Sequence, residues 1–490
     1  MDVLLLLLAC LASFARMLAS YIISLLIAIF VGILMARKRG AETLLMPILD
    51  ILQSIPILGF FPVAILAFLT FLPRNIGLEF AAVFLITTSL LWNMIFGVYS
   101  SIKSLDPNVF TMAEVYNLKA FSRLTYIYVP AARASIAANS IISWAGGWFF
   151  LTSAEVLSSG SEGFKLFGIG SLIMDLYGSN RVPELNIAIA TLFTTIMASY
   201  IMVFNPATNI ALQRYMLLGC SRVFHYIHKF ITAVWEYLVG LGIKLEVKGP
   251  HSFIAAFTAA YITLQPTNVI AIQTTVGYTF ITEFLVNFML SLSRVALVVL
   301  SSLALTVGIA YISLIKGWGS IIALMGEALA SIPAILWWPI LSPFIDVLPW
   351  LISYVIFLQG SIWYLFFNVM LFGVPKVRNE VLELARVYGI KGLNYFRYIL
   401  IPSLMPSIAA GALSAWGGAW NASIVAEYFE SGVNVVDLGG VGSMLSKFTY
   451  GGDYGSVIHT VLLWALMIVT LNKVIWSRVF RLVERTFVVE

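Results

Sequence analysis

Apolar segments of about 20 residues or more follow one another along most of this chain. They lie at roughly 17–36, 43–72, 79–101, 127–157 and 185–213, and then at roughly 252–275, 281–315, 320–342, 349–373, 403–428 and 456–477. A helix of about 20 residues spans the ~30 Å hydrocarbon core of a bilayer, and only 10% of the residues are charged. Most of the chain must therefore face lipid or pack inside a bilayer. The sequence predicts an all-α polytopic membrane protein with about eleven spans.

The basic residues indicate how these spans are oriented. If the polar segment 383–402 lies in the cytoplasm and the spans alternate, most of the 28 Lys and Arg residues fall on the cytoplasmic side. Such an excess is typical of the inner face of a membrane. The same alternation places the segment 215–250 and the C-terminus in the cytoplasm. The concentration of basic residues in cytoplasmic loops thus explains the net charge of +5. The lipid bilayer is the expected surrounding of the chain, and no nucleic-acid partner is expected.

The two halves of the chain repeat each other. A shift of 272 residues places 127–155 on 399–427 without a gap, and 11 of these 29 positions are identical. Unrelated apolar helices can share composition, but they do not share rare residues in register. The identical pairs include Trp144 with Trp416, Trp148 with Trp420, and Glu155 with Glu427.

The number of spans between equivalent points of the two halves is even, so the halves share one orientation. Halves of this kind are related by an axis along the membrane normal, and a translocation path is expected on that axis. The chain then divides into a first domain at 11–214, a cytoplasmic linker at 215–250, an extra connecting span at 251–280 and a second domain at 281–490.

A polar, basic segment from Glu383 to Pro402 interrupts the apolar second half. Gly389 follows Glu383 by six residues, and Pro402 follows Gly389 by thirteen. Glycine often closes a helix in the left-handed conformation, which predicts a short helix, containing Ala385, that ends at Gly389. A second short helix is expected to run to Pro402, where the next apolar segment begins.

The first half carries a degenerate copy of this segment, in which the aligned residues are Thr111, Ala113, Asn117 and Pro130. Asn tolerates the left-handed conformation better than most non-glycine residues, so the helix-ending turn is expected to survive. The missing glutamate removes a salt bridge or a charge at the start of the helix.

Glu383, Ala385, Gly389 and Pro402 resemble the signature loop of the permease subunits of ATP-binding-cassette (ABC) importers. The chain most resembles the nitrate, sulfonate and taurine type, in the anion-type form that fuses two permeases into one polypeptide. The resemblance implies two tandem type I importer transmembrane domains in parallel orientation. They would form the path for a small solute, such as an inorganic or organic anion, delivered by an extracytoplasmic substrate-binding protein.

The resemblance also implies a role for the segment Glu383–Pro402. It would be the coupling helix that docks on a homodimeric cytoplasmic ABC ATPase. The permease itself would lie in the plasma membrane of the cell. That ATPase would use ATP and Mg, whereas this chain would bind no cofactor. We expect both loops to dock, with the second contributing more. Phe14-Ala-Arg and Leu292-Ser-Arg are similar to the elbow that precedes the first core span in such permeases.

Polar and aromatic residues inside the spans are further candidates. Glu155 and Glu427 end their spans on the outer side, where they form either an exposed span end or an outer gate or receptor contact. The four tryptophans recur at i, i+4, which is typical of helix packing or of a lining of the path. The candidates for the path are Trp144, Trp148, Trp416, Trp420, Asn139, Asn93 and Asn368.

Catalytic motifs are absent from the sequence, which contains no phosphate-binding loop of the G-x-x-x-x-G-K-[ST] type. His225 and His228 lie three residues apart in the linker, but they have no partners at metal-ligand spacing, so no metal site is expected. The chain is therefore predicted to be no enzyme. Two other functions stay open, an ion-coupled carrier with two parallel repeats and a membrane channel or scaffold component.

Overall fold

The computed structural model describes residues 3–200, 202 and 278–487, apart from 55, 160–164, 331, 342–343, 378, 391 and 432–433. Most of the described chain is helical, as the sequence predicts. The predicted linker, 215–250, with His225 and His228, lies outside the described residues. The predicted connecting span, 251–280, does so too, except for its last three residues, which begin a helix.

The first half consists of long apolar helices joined by short polar ones. In chain order they are α1 (Val3–Arg37), α2 (Arg39–Ser54), a 3-10 turn (Ile57–Phe60), α3 (Phe61–Phe71), α4 (Arg74–Lys103), α5 (Pro107–Val115), α6 (Ala120–Arg123), a π turn (Leu124–Tyr128), α7 (Val129–Ser159), α8 (Ile169–Gly178) and α9 (Val182–Ser199). The predicted first span, 17–36, is only the C-terminal part of α1, because no proline interrupts the apolar run that begins at Val3.

The second half repeats this order and adds a β-hairpin. Its elements are α10 (Tyr278–Lys316), α11 (Gly319–Ala330), a 3-10 turn (Ala334–Leu336), α12 (Trp337–Ile340), α13 (Pro349–Phe367), a π turn (Asn368–Gly373), a 3-10 turn (Val374–Lys376), α14 (Asn379–Val387), α15 (Leu393–Tyr395), a π turn (Phe396–Leu400), α16 (Ile401–Glu427), β1 (Tyr428–Ser431), β2 (Asn434–Asp437), α17 (Val441–Tyr450) and α18 (Tyr454–Phe487). The two strands pair antiparallel.

Eight of the described helices are long and apolar enough to cross a membrane. Two of the predicted spans, 43–72 and 320–342, are not continuous helices. Each is interrupted at a Ser-Ile-Pro sequence, where Pro56 or Pro333 precedes a 3-10 turn. Proline lacks a backbone N–H and its ring clashes with the preceding turn. The apolar segments predicted at 43–72 and 320–342 are therefore broken at these prolines, and neither is among the eight described helices that are long enough to cross a membrane.

The break expected at Pro402 is absent. The segment Leu393–Glu427 is one helical run, in which a π turn lies directly before the proline. Within that turn the N–H of Ile401 bonds to the carbonyl oxygen of Phe396, five residues back. The same arrangement precedes Pro130 in the first half. The wider turn accommodates the ring and the missing N–H of proline without ending the helix.

Each half packs its interrupted segment against the other half. The 3-10 turn after Pro56 contacts α16, and Gly59 in this turn lies beside Leu445 and Trp464. In return, the 3-10 turn after Pro333 contacts α7. The helices α2 and α3 also contact α18. The interrupted segment of each half is therefore part of the interface between the two halves.

Candidate coupling and gating sites

The helix α14 ends in the turn that its glycine predicts. Gly389 has a φ of +61°, in the left-handed region that favours glycine. The N–H of Ile390 donates to the carbonyl oxygen of Ala385 at 2.9 Å, and the N–H of Gly389 donates to that of Arg386 at 3.1 Å. These two bonds form a Schellman motif, which satisfies carbonyl groups that a helix end would leave unpaired.

The degenerate loop of the first half ends in the same turn. Asn117 has a φ of +50°. The N–H of Leu118 donates to the carbonyl oxygen of Ala113 at 2.9 Å, and the N–H of Asn117 donates to that of Glu114 at 2.9 Å. The expectation that Asn117 preserves the helix-ending turn is confirmed.

Both short helices bury one alanine and expose an apolar face. Ala113 and Ala385 are each 2% exposed. The exposed faces consist of equivalent residues, Met112, Val115 and Tyr116 at the end of α5 and Leu384, Val387 and Tyr388 at the end of α14. Val115 is 78% exposed and Val387 is 82% exposed. Exposed apolar patches with polar surroundings are typical of interaction surfaces.

Thr111 and Glu383, which occupy the same aligned position in the two loops, are both exposed. Glu383 is the fifth residue of α14, and the acidic residue in the first turn of that helix is Glu380. The interpretation of Glu383 as a charge at the start of the helix is therefore wrong, because the influence of the helix dipole is confined to the first turn. A salt bridge from Glu383 to a partner stays a prediction.

Glu155, near the C-terminal end of α7, is completely buried in a polar cluster. Its carboxylate accepts hydrogen bonds from Nη1 of Arg16 at 2.7 Å, Oγ of Ser13 at 2.6 Å and the N–H of Gly170 at 2.7 Å. Arg16 also binds the carboxylate of Glu79 through Nε at 2.5 Å and Nη2 at 2.7 Å. Pairing of this kind makes a buried carboxylate tolerable, and here it joins α1, α4, α7 and α8.

Glu427, at the end of α16, lies in an equivalent cluster and is also completely buried. It accepts hydrogen bonds from Oγ of Ser291 at 2.7 Å, Nη1 of Arg294 at 3.0 Å and the N–H of Gly442 at 2.9 Å. Where Arg16 binds a second carboxylate, Arg294 donates to the backbone carbonyl oxygens of Leu438 at 2.6 Å and of the next residue at 2.7 Å.

The expectation of exposed span ends at Glu155 and Glu427 is wrong for both. The partners that bury them come from Ser-x-x-Arg sequences, Ser13 to Arg16 and Ser291 to Arg294, which overlap the elbow noted in the sequence. An arginine inside an apolar helix requires a paired partner. The arginine of each Ser-x-x-Arg sequence was therefore a signal, present in the sequence, that a buried partner exists. A role for either carboxylate in an outer gate stays a prediction.

The four repeated tryptophans are buried against other helices. Trp144 and Trp148 make an edge-to-face contact with ring centroids 6.2 Å apart, and Trp416 and Trp420 repeat it at 5.9 Å. The indole N–H of Trp144 donates to Oγ of Ser199 at 2.9 Å. These contacts favour helix packing over the alternative that the tryptophans line a path.

The three asparagines predicted for the path, Asn93, Asn139 and Asn368, are half-buried. The amide of Asn139 donates to the carbonyl oxygen of Ser135 at 2.9 Å, and that of Asn368 donates to Tyr364 at 2.8 Å. These bonds lie within single helices and leave the amide oxygens to other partners. Their place on a translocation path stays a prediction.

Sequence reasoning missed a fourth asparagine, Asn421, which joins the two halves. Its Oδ1 accepts a hydrogen bond at 2.5 Å from the N–H of Ile57, directly after the break at Pro56. The repeat replaces Asn421 by Phe149 in the first half, so comparison of the halves gave no signal for it. The hydrogen bond satisfies a buried backbone donor that the interrupted helix leaves unpaired.

The two halves also meet through aromatic rings beside these two clusters. Tyr177, at the end of α8, and Phe429, in β1, have ring centroids 6.0 Å apart. The helix α8 is attached to the cluster of Glu155, and β1 directly follows Glu427. Both clusters therefore lie at the same end of the molecule, in agreement with the parallel orientation expected from the number of spans.

Comparison with known proteins gives relatives that transport anions. The chain is 27% identical over 178 residues to the bicarbonate transport system permease protein CmpB of Synechococcus elongatus, covering 36% of this chain and 60% of the relative. It is 26% identical over 178 residues to the nitrate import permease protein NrtB of Leptolyngbya laminosa, covering 36% and 59%. It is 27% identical over 150 residues to the putative aliphatic sulfonates transport permease protein SsuC of Bacillus subtilis, covering 30% and 49%. The match thus spans about half to three fifths of each relative.

A family model covers much more of the chain. The model of the binding-protein-dependent transport system inner membrane component matches twice, at residues 25–214 and 301–487. The two matches fall one in each half, as a tandem duplication requires. They also contain the helices that carry Ala113 and Ala385, and they include Glu155 and Glu427. The partners Arg16 and Arg294 lie just before the matched ranges. The chain belongs to the family of binding-protein-dependent transport system inner membrane components, with two copies of the domain in one polypeptide.

Proposed function

We propose that this chain is the permease of an ATP-driven importer, with both transmembrane domains in one polypeptide. The observation that carries this proposal is the pair of equivalent helices, α5 and α14, at one end of the two halves. Each ends in a left-handed turn, at Asn117 or Gly389, and each exposes the same arrangement of two aliphatic residues and one tyrosine. Two matching apolar faces fit a partner that itself has two equivalent subunits.

The partner that fits these faces is a cytoplasmic ABC ATPase, which we propose is a homodimer. A short helix that is fixed by a Schellman motif moves as a rigid element. It can therefore pass a rigid-body motion of the ATPase to the spans, whereas an unstructured loop would absorb that motion. In this arrangement ATP and Mg belong to the ATPase, and the residues of the permease contribute docking and the path.

For the cargo we propose a small inorganic or organic anion, delivered by an extracytoplasmic substrate-binding protein. The support is the naming of the relatives, which are a bicarbonate, a nitrate and a putative aliphatic sulfonate permease. We further propose the plasma membrane as the location, with the linker and the C-terminus in the cytoplasm, because the basic residues are then concentrated inside.

The experiment is co-expression of the chain with the ATPase and binding protein encoded beside it, followed by reconstitution in liposomes. We expect ATP-dependent uptake of nitrate, bicarbonate or a sulfonate, and loss of ATPase binding in Val387→Asp, which places a charge on the exposed face. Ser104→Asp is the control, because Ser104 is exposed but lies outside both α5 and α14. Uptake that proceeds without any ATPase or ATP would show that the chain is a carrier instead.

A further inference from the structure

The two halves differ in the segment that follows the buried glutamate. In the first half α7 continues as helix to Ser159, whereas in the second half the chain leaves the helix at Tyr428, with φ −138° and ψ 131°. The residues Tyr428 and Phe429 favour extended structure, and they form β1 of the hairpin. Phe429 pairs with Val436 across the strands. The hairpin is therefore a feature of the second half that the internal repeat does not explain.

The side chain of Phe429 lies between the two halves and is 4% exposed. Its ring stacks on Trp338, with centroids 5.2 Å apart and planes at 14°. The indole N–H of Trp338 donates to the carbonyl oxygen of Val425 at 2.7 Å, two residues before the end of α16. Phe429, Trp338 and α16 thus belong to one body, and Tyr177, on the other side of Phe429, belongs to the first half.

Arg294 fixes the base of the hairpin. Its guanidinium binds Glu427, which directly precedes β1, and the carbonyl oxygen of Leu438, which directly follows β2. The N–H of Leu438 in turn donates to the carbonyl oxygen of Glu427 at 3.0 Å. One arginine therefore holds both ends of the hairpin to α10.

Asp437, at the end of β2, attaches the hairpin to α17. Its carboxylate accepts hydrogen bonds from Oγ of Ser443 at 2.5 Å and from the N–H of Gly439 at 3.0 Å, and it is paired with Lys447. Partial burial raises the pKa of Asp437, but the bonds from Lys447, Ser443 and Gly439 outweigh this, so its pKa lies below the ordinary value. Asp437 therefore stays ionised at neutral pH, so that the hairpin is attached to α17 at that pH.

We propose that Phe429 is the outer gate residue of the translocation path and that it closes against Tyr177 of the first half. This inference rests on the proposed import function, and it assigns the gate to an aromatic contact instead of to Glu155 or Glu427. A path between two parallel halves lies at their interface, which is where these rings meet. When the halves separate as rigid bodies, the contact of Phe429 with Tyr177 opens while its contact with Trp338 persists. An apolar ring offers a hydrated anion no replacement for its water, so that the closed contact excludes it.

Two cysteine pairs test this proposal in the complete transporter, with Cys10 and Cys220 replaced by serine. The pair Tyr177→Cys and Phe429→Cys bridges the halves, whereas the control pair Glu430→Cys and Val435→Cys, which are cross-strand neighbours in the hairpin, lies within the second half. After treatment with a short, reducible thiol cross-linker, we expect ATP-dependent uptake to fall by about tenfold or more in the first pair, since a locked gate prevents the conformational step. Reduction should restore it, and the control pair should keep its uptake after cross-linking. Equal inhibition of both pairs, or of neither, would overturn the assignment of the gate.

A leak measurement separates this inference from the proposed function. In liposomes that contain the chain without ATPase or ATP, Phe429→Ala should raise the passive efflux of anions several-fold over the unmodified chain. Val435→Ala is the control, because Val435 is 64% exposed in the same hairpin. If the unmodified complex shows no ATP-dependent uptake, the import function fails, yet the leak still tests the gate. If Phe429→Ala and Val435→Ala leak equally, the gate fails whatever drives transport.

Discussion

Asn117 and Gly389 occupy equivalent positions in the two halves and have the same left-handed backbone conformation, with φ of +50° and +61°. Each is followed by a residue whose N–H donates to the carbonyl oxygen five residues back, at Ala113 or Ala385. The loss of glycine from the first loop has therefore not changed the shape of its turn. The loops also differ at the exposed position two before the alanine, which is Thr111 in the first loop and Glu383 in the second.

Proline substitutions test whether the two loops contribute unequally. Gly389→Pro and Asn117→Pro are both incompatible with a positive φ and both remove an N–H donor, at a cost of about 3 kcal/mol or more to the turn. We expect Gly389→Pro to lower ATP-dependent uptake more than Asn117→Pro, because only the second loop carries the glutamate. Gly389→Asn is the control and should retain most uptake, since Asn117 already adopts this turn. Equal losses in the two proline variants would contradict the expected asymmetry.

The two buried clusters predict different costs for loss of a carboxylate. Glu427→Gln leaves Arg294 with the carbonyl groups of the hairpin, and removal of one partner from a buried ion pair costs about 3–5 kcal/mol. Glu155→Gln should cost less, because Arg16 still binds Glu79. The measurement is thermal unfolding in detergent, followed by tryptophan fluorescence.

Glu79→Gln is the control for this comparison. The side chain of Glu79 is 46% exposed, so that its loss should lower the unfolding temperature least of the three. A larger loss for Glu155→Gln than for Glu427→Gln would show that the second carboxylate of the first cluster does not compensate.

Two adjacent glycines in α16 predict opposite effects of the same substitution. A Cβ added at Gly418 would overlap the carbonyl oxygen of Gly360 in α13, whereas a Cβ at Gly417 meets nothing within 4 Å. Gly418→Ala should therefore destabilise the protein by about 1–3 kcal/mol through overpacking. Gly417→Ala should be neutral or stabilise the helix by up to about 1 kcal/mol. If the two variants had the same unfolding temperature, the close approach of α13 and α16 would be contradicted.

The hydrogen bond between Asn421 and Ile57 predicts a measurable cost of removing one amide. Asn421→Leu keeps the size of the side chain but leaves the N–H of Ile57, which is 4% exposed, without its acceptor. An orphaned buried donor costs about 1–3 kcal/mol. Asn139→Leu is the control, because the bonds that Asn139 donates go to Ser135 in its own helix, and its loss should be smaller. Similar losses for both variants would show that the bond across the halves contributes little.

The sequence was sufficient for the helical class, the duplication and the two helix-ending turns. These features follow from local chemistry, because apolar length, register identity and the left-handed preference of Gly389 or Asn117 need no knowledge of distant contacts. The breaks within 43–72 and 320–342 could not be predicted, although Pro56 and Pro333 are visible in the sequence, since apolar composition alone does not reveal whether proline bends a membrane helix or ends it.

The pairing of Arg16 with Glu155 and of Arg294 with Glu427 could have been suspected from the repeated Ser-x-x-Arg sequence, yet the burial of both carboxylates was decided only by the fold. The partners are separated by more than 130 residues, and no local pattern encodes such a distance. The same is true of Phe429, which the sequence shows as one aromatic residue among many. Apolar composition and the internal repeat are enough to establish that two similar membrane domains follow each other. The tertiary structure decided how they meet, because contacts between halves depend on which side chains the packing of whole helices brings together.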